Sequence, residues 1–238
     1  MPSPVVPDDF VHHWQQLFAT ESWASPFLSP LWVKHWLAVQ GQLLAVTPFM
    51  YPEGEPAPRA MALLVESHVR RGPLVFRRLH LNTDGERAAE SVYIENNALL
   101  CRPESRVEAL QALVARVSRS RVHEFVVAGM DDDELGRFVS AFAGWVPDID
   151  TRPSPYVDLG KVREQGGDLL PCLRANTRAQ LRRALKKYEH TAPLQYDVAR
   201  TPDDATQLLS ELIALHELRW QRRGHSGAFA SQARRDFH

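Results

Sequence analysis

The sequence predicts an α/β protein in which a sheet is flanked by helices. Between residues 43 and 81, apolar and polar side chains alternate in three stretches, a pattern that indicates strands. Over 107–117 the apolar residues recur every three or four positions, which indicates a helix. Hydrophobic residues make up 44% of the 238 residues and charged residues 24%, so the chain has enough apolar side chain for a sizeable core.

Composition excludes several classes of protein. The formal net charge of -1 gives no reason to expect a nucleic-acid or membrane partner. Cys101 and Cys172 are far apart and not in metal-ligand spacing, which favours a reducing, cytoplasmic location over a disulfide framework. The first residues lack the basic and apolar regions of a signal peptide, and no stretch reaches the roughly 20 apolar residues that cross a bilayer.

A regular succession of elements is predicted over residues 1–152. Two short helices come first, and the Ser29-Pro30 pair is suited to cap the second. Strands are predicted over 43–51, 59–69, 74–81 and 92–101, then a helix after Pro103, a strand at 125–128, a helix at 131–142 and a strand at 145–149.

A second region begins at the break formed by Pro153 and Pro155. Its predicted elements are a strand at 156–159, a helix at 168–188, a strand at 194–199 and a helix from Thr201 to about Arg223. This order begins like that of the first region but does not finish it. We therefore expect one domain at 1–152 and the first part of a second domain at 153–238.

The predicted order is that of the GNAT acyltransferase fold, a mixed sheet flanked by helices. Several segments resemble bacterial tandem-GNAT proteins of the Fem-like, CelD-type acetyltransferase family; they are 29–32, 81–85, 93–97, 155–159, 176–184 and 215–224. The resemblance implies two GNAT-like halves, of which the second is incomplete here. It also implies an N-acyltransferase that uses acetyl-CoA or another acyl-CoA, acts on an amine acceptor and serves cell-envelope or exopolysaccharide biosynthesis.

The acyl-CoA loop that the resemblance implies for the first domain should lie at 101–106. In GNAT enzymes this loop binds the pyrophosphate through backbone N–H groups, and its glycines let the phosphate approach. The segment here has no glycine, Pro103 lacks an N–H, and Glu104 adds a negative charge. We therefore expect a degenerate donor loop. A partial match at 221–226 follows a helix, and a helix C-cap with a turn is its alternative interpretation.

A basic stripe marks the predicted helix of the second region. Arg174, Arg178, Arg182 and Lys186 stand four residues apart, Arg183 and Lys187 lie beside them, and no acidic residue intervenes between 171 and 188. A solvated basic face is one interpretation. The other is a contact with phosphate or carboxylate groups, which makes Arg178, Arg182, Arg183 and Lys186 candidate substrate-binding residues for a small or sugar-linked anionic substrate.

Three further substrate-binding candidates, His216, Arg219 and Trp220, follow from the resemblance. Because His216 and Trp220 are four residues apart on a helix, they share a face, and packing is their alternative role. His216-Glu217 begins like a zinc-protease motif, but Trp220 stands where the second histidine is needed. We therefore expect no metal.

Glu95 is the candidate catalytic residue. It belongs to a polar segment, 93–97, that is unusual for a strand. GNAT enzymes often use a carboxylate near this place as a general base, so the resemblance makes Glu95 a candidate base or substrate contact. A solvent-facing carboxylate at a sheet edge is the alternative.

Two functions remain open from the sequence. The first is the N-acyltransferase, and the second is a non-catalytic degenerate GNAT module that binds an anionic sugar, a polymer or a protein partner. A nucleic-acid binder is disfavoured by the overall charge and by the scarcity of aromatic residues beside the basic stripe. An unfinished second domain should also leave Leu208, Leu209, Leu212 and Leu215 exposed and so favour self-association.

Overall fold

The structure is a computed structural model that describes residues 6–7, 9–41, 44–54, 57–85, 92 and 94–238. Contacts divide the chain into two compact units, one formed by Met1–Pro147 with Ile213–His238 and the other by Asp148–Leu212. The architecture is mixed α/β with a mixed sheet flanked by helices, which confirms the predicted fold class.

Helices and strands follow one another in the predicted order as far as residue 141. The elements there are α1 (Phe10–Thr20), α2 (Pro30–Gln40), β1 (Ala45–Tyr51), β2 (Ala60–Arg71), β3 (Leu74–Leu81), β4 (Leu100–Cys101), α3 (Arg106–Arg119), β5 (Glu124–Val126) and α4 (Asp132–Ala141). The later helices are α5 (Leu159–Glu164), α6 (Ala175–Glu189), α7 (Pro202–Gln221) and α8 (Gln232–Phe237). The predicted N-cap of α2 is confirmed, because the Ser29 hydroxyl accepts a hydrogen bond from the Trp32 N–H.

The sheet of the first unit has five strands among the described residues. β1, β2, β3 and β5 lie side by side, and the β3–β5 pairing is parallel whereas the others are antiparallel. β4 pairs with the start of β2, at Ala60 and Met61, and β3 pairs with β2 from Leu64 onwards. β1 pairs with the opposite edge of β2 over this part of the strand. β3 and β4 therefore lie along the same edge of β2, with a gap between them.

Each face of this sheet buries a separate apolar core. Successive residues of β2 point to opposite faces, so Met61, Leu63 and Val65 pack with α1 and α2, while Ala62 and Leu64 pack with α3 and α4. The C-terminal helix α8 adds Phe237 to the first of these cores. Its ring meets that of Trp32 edge-on, with the ring centres 4.7 Å apart.

Two buried asparagines close the gap between β3 and β4. Asn82 satisfies both backbone polar groups of Leu63. Its N–H donates to the Leu63 carbonyl, and its side-chain oxygen accepts from the Leu63 N–H. The Asn82 amide also donates to Asn97 Oδ1 and to the Ala98 carbonyl. Asn97 in turn donates to the carbonyls of Leu81 and Ala128. These bonds therefore join four separate segments of the first unit.

The structure differs from the prediction at the fourth strand. Within the predicted strand 92–101, only Leu100 and Cys101 are in a strand, and Tyr93 lies outside the described residues. Asn96 has φ 51°, a left-handed conformation that an extended strand cannot contain. Hydrogen bonds of Asn97 replace the strand ladder here, so the polar segment forms a bend instead.

The predicted strands at 145–149, 156–159 and 194–199 are wrong. Val146, Tyr156 and Tyr196 are more than four-fifths exposed, at 97%, 86% and 84%. A strand needs a neighbouring strand for its hydrogen bonds, and none pairs with these segments among the described residues.

Helices dominate the second unit, Asp148–Leu212. The helix predicted from 168 begins later, at Ala175, after a short 3-10 turn around Pro171, which has no N–H to give to an α-helix. No residue of α6 is fully buried, and Val162 of α5 is 8% exposed. The assignment of 153–238 to one second domain remains a prediction, and Ile213–His238 packs with the first unit.

We predict that Asn97→Ala lowers the free energy of unfolding by at least about 3 kcal/mol. The substitution leaves the carbonyls of Leu81 and Ala128 and one amide hydrogen of Asn82 without their partners in a buried place, and each such loss costs about 1–3 kcal/mol. Urea titration followed by circular dichroism measures the change.

The matched control is Gln111→Ala, which removes an exposed amide from α3. It should change stability by less than about 0.5 kcal/mol. Equal effects of the two substitutions would show that the asparagine pair does not hold the sheet together.

Candidate functional site

Glu95 lies at the surface of the first unit on a backbone that is held in place. Its side chain is exposed, and the neighbouring Ile94 and Asn97 are buried. The Asn97 N–H donates to the Gly129 carbonyl at 2.8 Å, and the Ser25 hydroxyl donates to the Glu95 carbonyl at 3.4 Å. The carboxylate therefore projects into solvent from a fixed position, an arrangement that is compatible with either of its predicted roles.

Gly129 is essential to the position of that segment. Its φ is +72°, and a Cβ at this residue would lie 2.2 Å from the Ile94 carbonyl oxygen. Only glycine allows the chain after β5 to approach the backbone beside Glu95 so closely. Sequence reasoning did not identify this contact, because the approach joins residues that are far apart in the chain.

The start of α3, where a donor loop was sought, is closed by side chains. Arg106 donates to Glu134 Oε2 at 2.9 Å, and its guanidinium lies 4.7 Å from the centre of the Trp23 ring. Arg137 donates to the same carboxylate oxygen at 2.8 Å. Pro103–Ser105 forms a 3-10 turn with Glu104 in it. These residues do not fit the pyrophosphate of an acyl-CoA, because Arg106 is already paired, Glu104 adds a negative charge and the turn has no glycine.

Neither cysteine has the character of a nucleophile. Cys101 is buried, and burial raises the pKa of its thiol to about 11, an effect that the Arg106 charge only partly offsets. Cys172 is exposed and donates to Gln165 Oε1 at 3.0 Å. A thiol that stays protonated at neutral pH packs as a small apolar group.

The basic stripe on α6 is exposed and unpaired among the described residues. None of its six side chains takes part in an ion pair there, and Arg178 is partly covered while Arg182, Arg183 and Lys186 are exposed. The Arg183 guanidinium donates only to the Ala179 carbonyl of its own helix. Four pairs of like charges four residues apart cost roughly 1–2 kcal/mol in total, at about 0.2–0.5 kcal/mol each.

His216 and Trp220 contact each other, as their spacing predicts. The Trp220 indole N–H donates to His216 Nε2 at 2.9 Å, so in the neutral ring Nδ1 carries the hydrogen. His216 Nδ1 is buried without a partner among the described residues. The Phe229 ring meets the imidazole edge-on at 5.2 Å between centres. Packing therefore accounts for both side chains, while their predicted role in substrate binding stays a prediction.

Arg219 does not join this contact. Its side chain is exposed, one residue away from the face that His216 and Trp220 share. Glu217 on the covered side forms an ion pair with Arg235 of α8. No hydrogen bond or ion pair in the described part of the chain connects Glu95 with His216, Arg219 or Trp220.

The end of α7 has the geometry of a helix stop and not of a phosphate-binding loop. Gly224 has φ 73°, its N–H donates to the Gln221 carbonyl, and the His225 N–H donates to the Trp220 carbonyl. These are the two bonds of a Schellman C-cap. The interpretation of 221–226 as a cap and turn is confirmed.

Two polar groups on the sheet were not found from the sequence. His80, almost fully buried, lies 2.8 Å from the Ser67 hydroxyl, and Arg78 is paired with Glu124, which also binds Arg71 at 2.8 Å. Local patterns could not identify them, because the partners come from different strands. The cross-strand register, once known, places Ser67 opposite Arg78 and one pleat away from His80.

No group of three metal-ligating side chains occurs in the described part of the chain. A cavity of about 10 Å³ lined by Trp14, Trp32 and Trp36 has room for one water molecule but for no substrate. Among the described helices, none is both long enough and apolar enough to cross a bilayer.

Comparison with known proteins gives one family match. Residues 175–238 match the family described as acetyltransferase (GNAT) domain, a segment that contains α6, α7 and α8. This match supports the GNAT superfamily and a general acyltransferase function, and GNAT proteins generally use acyl-CoA.

The other comparisons add little. No curated protein matches the chain. A crystal structure of a mutant of the BH1408 protein from Bacillus halodurans is similar to it with a TM-score of 0.37 and 13% identity, over 61% of this chain and 85% of that chain. A TM-score of this size supports no inference.

We predict that this chain binds acetyl-CoA weakly, with a dissociation constant above about 1 mM by isothermal titration calorimetry. The reason is the paired Arg106 and the absence of glycine from 101–106. Dissociation constants in the micromolar range would show that the start of α3, or another described surface, binds the donor after all.

We predict that Gly227→Ala destabilises the contact between α7 and the C-terminal segment. A Cβ at residue 227 would lie 2.6 Å from His216 Nδ1 and 3.2 Å from Trp220 Cδ1, so the His216 ring has to move, which strains its hydrogen bond with Trp220. Overpacking of this kind costs about 1–3 kcal/mol. Thermal unfolding and the fluorescence of Trp220 report the change.

Gly136→Ala is the control, because a Cβ at this position in α4 meets nothing within 4 Å. It should leave stability unchanged or raise it by up to about 1 kcal/mol. If Gly227→Ala behaved in the same way, the close approach to His216 would have no energetic importance.

Proposed function

We propose that the protein is an N-acyltransferase of the tandem-GNAT, CelD-type family that acylates an amine acceptor in the cytoplasm for cell-envelope or exopolysaccharide biosynthesis. The single observation that carries the proposal is the match of residues 175–238 to the acetyltransferase (GNAT) domain. The resemblance of segments in both regions to the tandem-GNAT proteins agrees with it. Acyl-CoA is the donor that this class of enzyme uses.

In this proposal Glu95 is the general base. An amine acceptor is an ammonium ion at neutral pH and must lose a proton before its nitrogen can attack an acyl group. A carboxylate can accept that proton directly or through a water molecule. The exposed side chain and the fixed backbone of Glu95 support this role, because a base has to be accessible and held in position.

Substrate binding is assigned to two surfaces in the same proposal. His216, Arg219 and Trp220 lie on α7, and Arg178, Arg182, Arg183 and Lys186 lie on α6. Exposed guanidinium and ammonium groups suit an acceptor with negative charge. Residues 101–106 do not fit an acyl-CoA, so no role in donor binding is given to them.

A non-catalytic GNAT module is the second candidate function. The observation that favours it is the closed start of α3, where Arg106, Arg137 and Glu134 form a paired cluster in place of a donor loop. In this case the chain recognises an anionic sugar, a polymer or a protein and transfers nothing.

We predict that Glu95→Gln lowers kcat by at least about 100-fold with little change in KM, since a positioned base contributes about 10²–10⁴ to the rate. The assay follows release of free CoA from acetyl-CoA by the protein, with glucosamine and amino-sugar oligomers as acceptors.

Glu108→Gln is the matched control, because Glu108 is an exposed carboxylate on α3. It should leave kcat unchanged. If no CoA is released with any of the amines tested, the binding module is favoured. Equal rates for Glu95→Gln and the unchanged protein would remove Glu95 from the mechanism.

A further inference from the structure

The basic side chains of α6 make no ion pair with other parts of the described chain. They stand on a helix with no fully buried residue. Repulsion between neighbours on the stripe destabilises the helix. A negatively charged ligand would relieve this repulsion, so the stripe is best explained by what it binds.

The spacing of the charges indicates the shape of that ligand. Four residues advance about 6 Å along a helix, so Arg174, Arg178, Arg182 and Lys186 form a row about 18 Å long. A single phosphate or carboxylate contacts one or two members of such a row. Only an extended molecule with repeated negative groups can contact all four at once.

Residue chemistry limits the kind of polymer. The one aromatic side chain of α6 is Tyr188, which is exposed but stands two positions after Lys186 and so faces away from it, whereas proteins that bind single-stranded nucleic acids stack successive bases on several aromatic rings. Large apolar residues between 174 and 187 are limited to Leu181 and Leu185, both partly covered, so the helix lacks the apolar face that enters a lipid layer. Three of the four residues in the row are arginines, whose planar guanidinium groups pair bidentately with carboxylates and with phosphates.

We propose that α6 binds a linear acidic polysaccharide whose carboxylate groups pair with the row from Arg174 to Lys186. The inference deepens the proposed function and rests on it in one respect, which is that the polymer carries the amine acceptor. A free amine is a cation and is repelled by the row, whereas an amine attached to a chain of negative charges is attracted. The substrate class is therefore an amino sugar within, or attached to, an acidic polysaccharide.

Binding alone tests the inference, because no acyl donor is needed for it. The probe is a fluorescently labelled polygalacturonate oligomer, followed by anisotropy at low and high salt. Arg178→Glu with Arg182→Glu should weaken binding at least about tenfold and make it less dependent on salt, since fewer ion pairs form. If the double variant does not fold, judged by circular dichroism, Arg178→Gln with Arg182→Gln provides the same comparison without new charges.

The matched control is Arg116→Glu with Arg119→Glu, which reverses two exposed charges on α3. It should leave binding unchanged, and an equal loss in both double variants would overturn the inference by showing a response to net charge alone. Equal affinity for galacturonic acid monomer, or tighter binding of polyphosphate, an oligonucleotide or anionic vesicles at equal charge, would also overturn it. Failure of acyl transfer with retained polymer binding would refute the proposed function but not the binding surface.

Discussion

The hydrogen bonds of Asn82 and Asn97 are the constraint on which the first unit depends. β2 pairs with β4 at its beginning and with β3 further on, and between the two partners its backbone would lack a neighbour. A buried backbone group without a partner costs as much as a lost hydrogen bond, so the gap has to be filled. Asn82 fills it for Leu63, and Asn97 connects Asn82 to the strand ends around it. The position of Glu95, two residues before Asn97, follows from the same bonds.

Local patterns predicted the parts of the fold that local forces determine. β3 was predicted with its observed bounds, Leu74–Leu81, and it pairs with a neighbour on each side in one sheet. Asp131 caps α4 through the Glu134 N–H, as the acidic run at 131–134 indicates. The strand predicted over 92–101 failed because its asparagines satisfy other segments of the chain. No pattern within ten residues contains that information.

The candidate site shows the same division. Shared faces on a helix could be read from spacing, so the contact between His216 and Trp220 was foreseeable. The approach of Gly227 to His216 was not, since the turn after Gly224 decides where residue 227 lies. The ion pair of Glu134 could not be predicted from the sequence, because an acidic residue in the first turn of a helix is already explained by the helix dipole. Its partner Arg106 lies 28 positions earlier in the chain.

Two sets of arginines in this protein differ in their surroundings, and the contrast between them bears on function. Arg77, Arg78 and Arg106 each pair with a glutamate on another element, so the fold neutralises the charge that it partly buries. The arginines of α6 are neither buried nor paired within the described residues, and their mutual repulsion lowers stability. Charges of the first group are explained by the structure that contains them. Charges of the second group make the structure less stable, and the acidic polymer proposed above would relieve their repulsion along the helix.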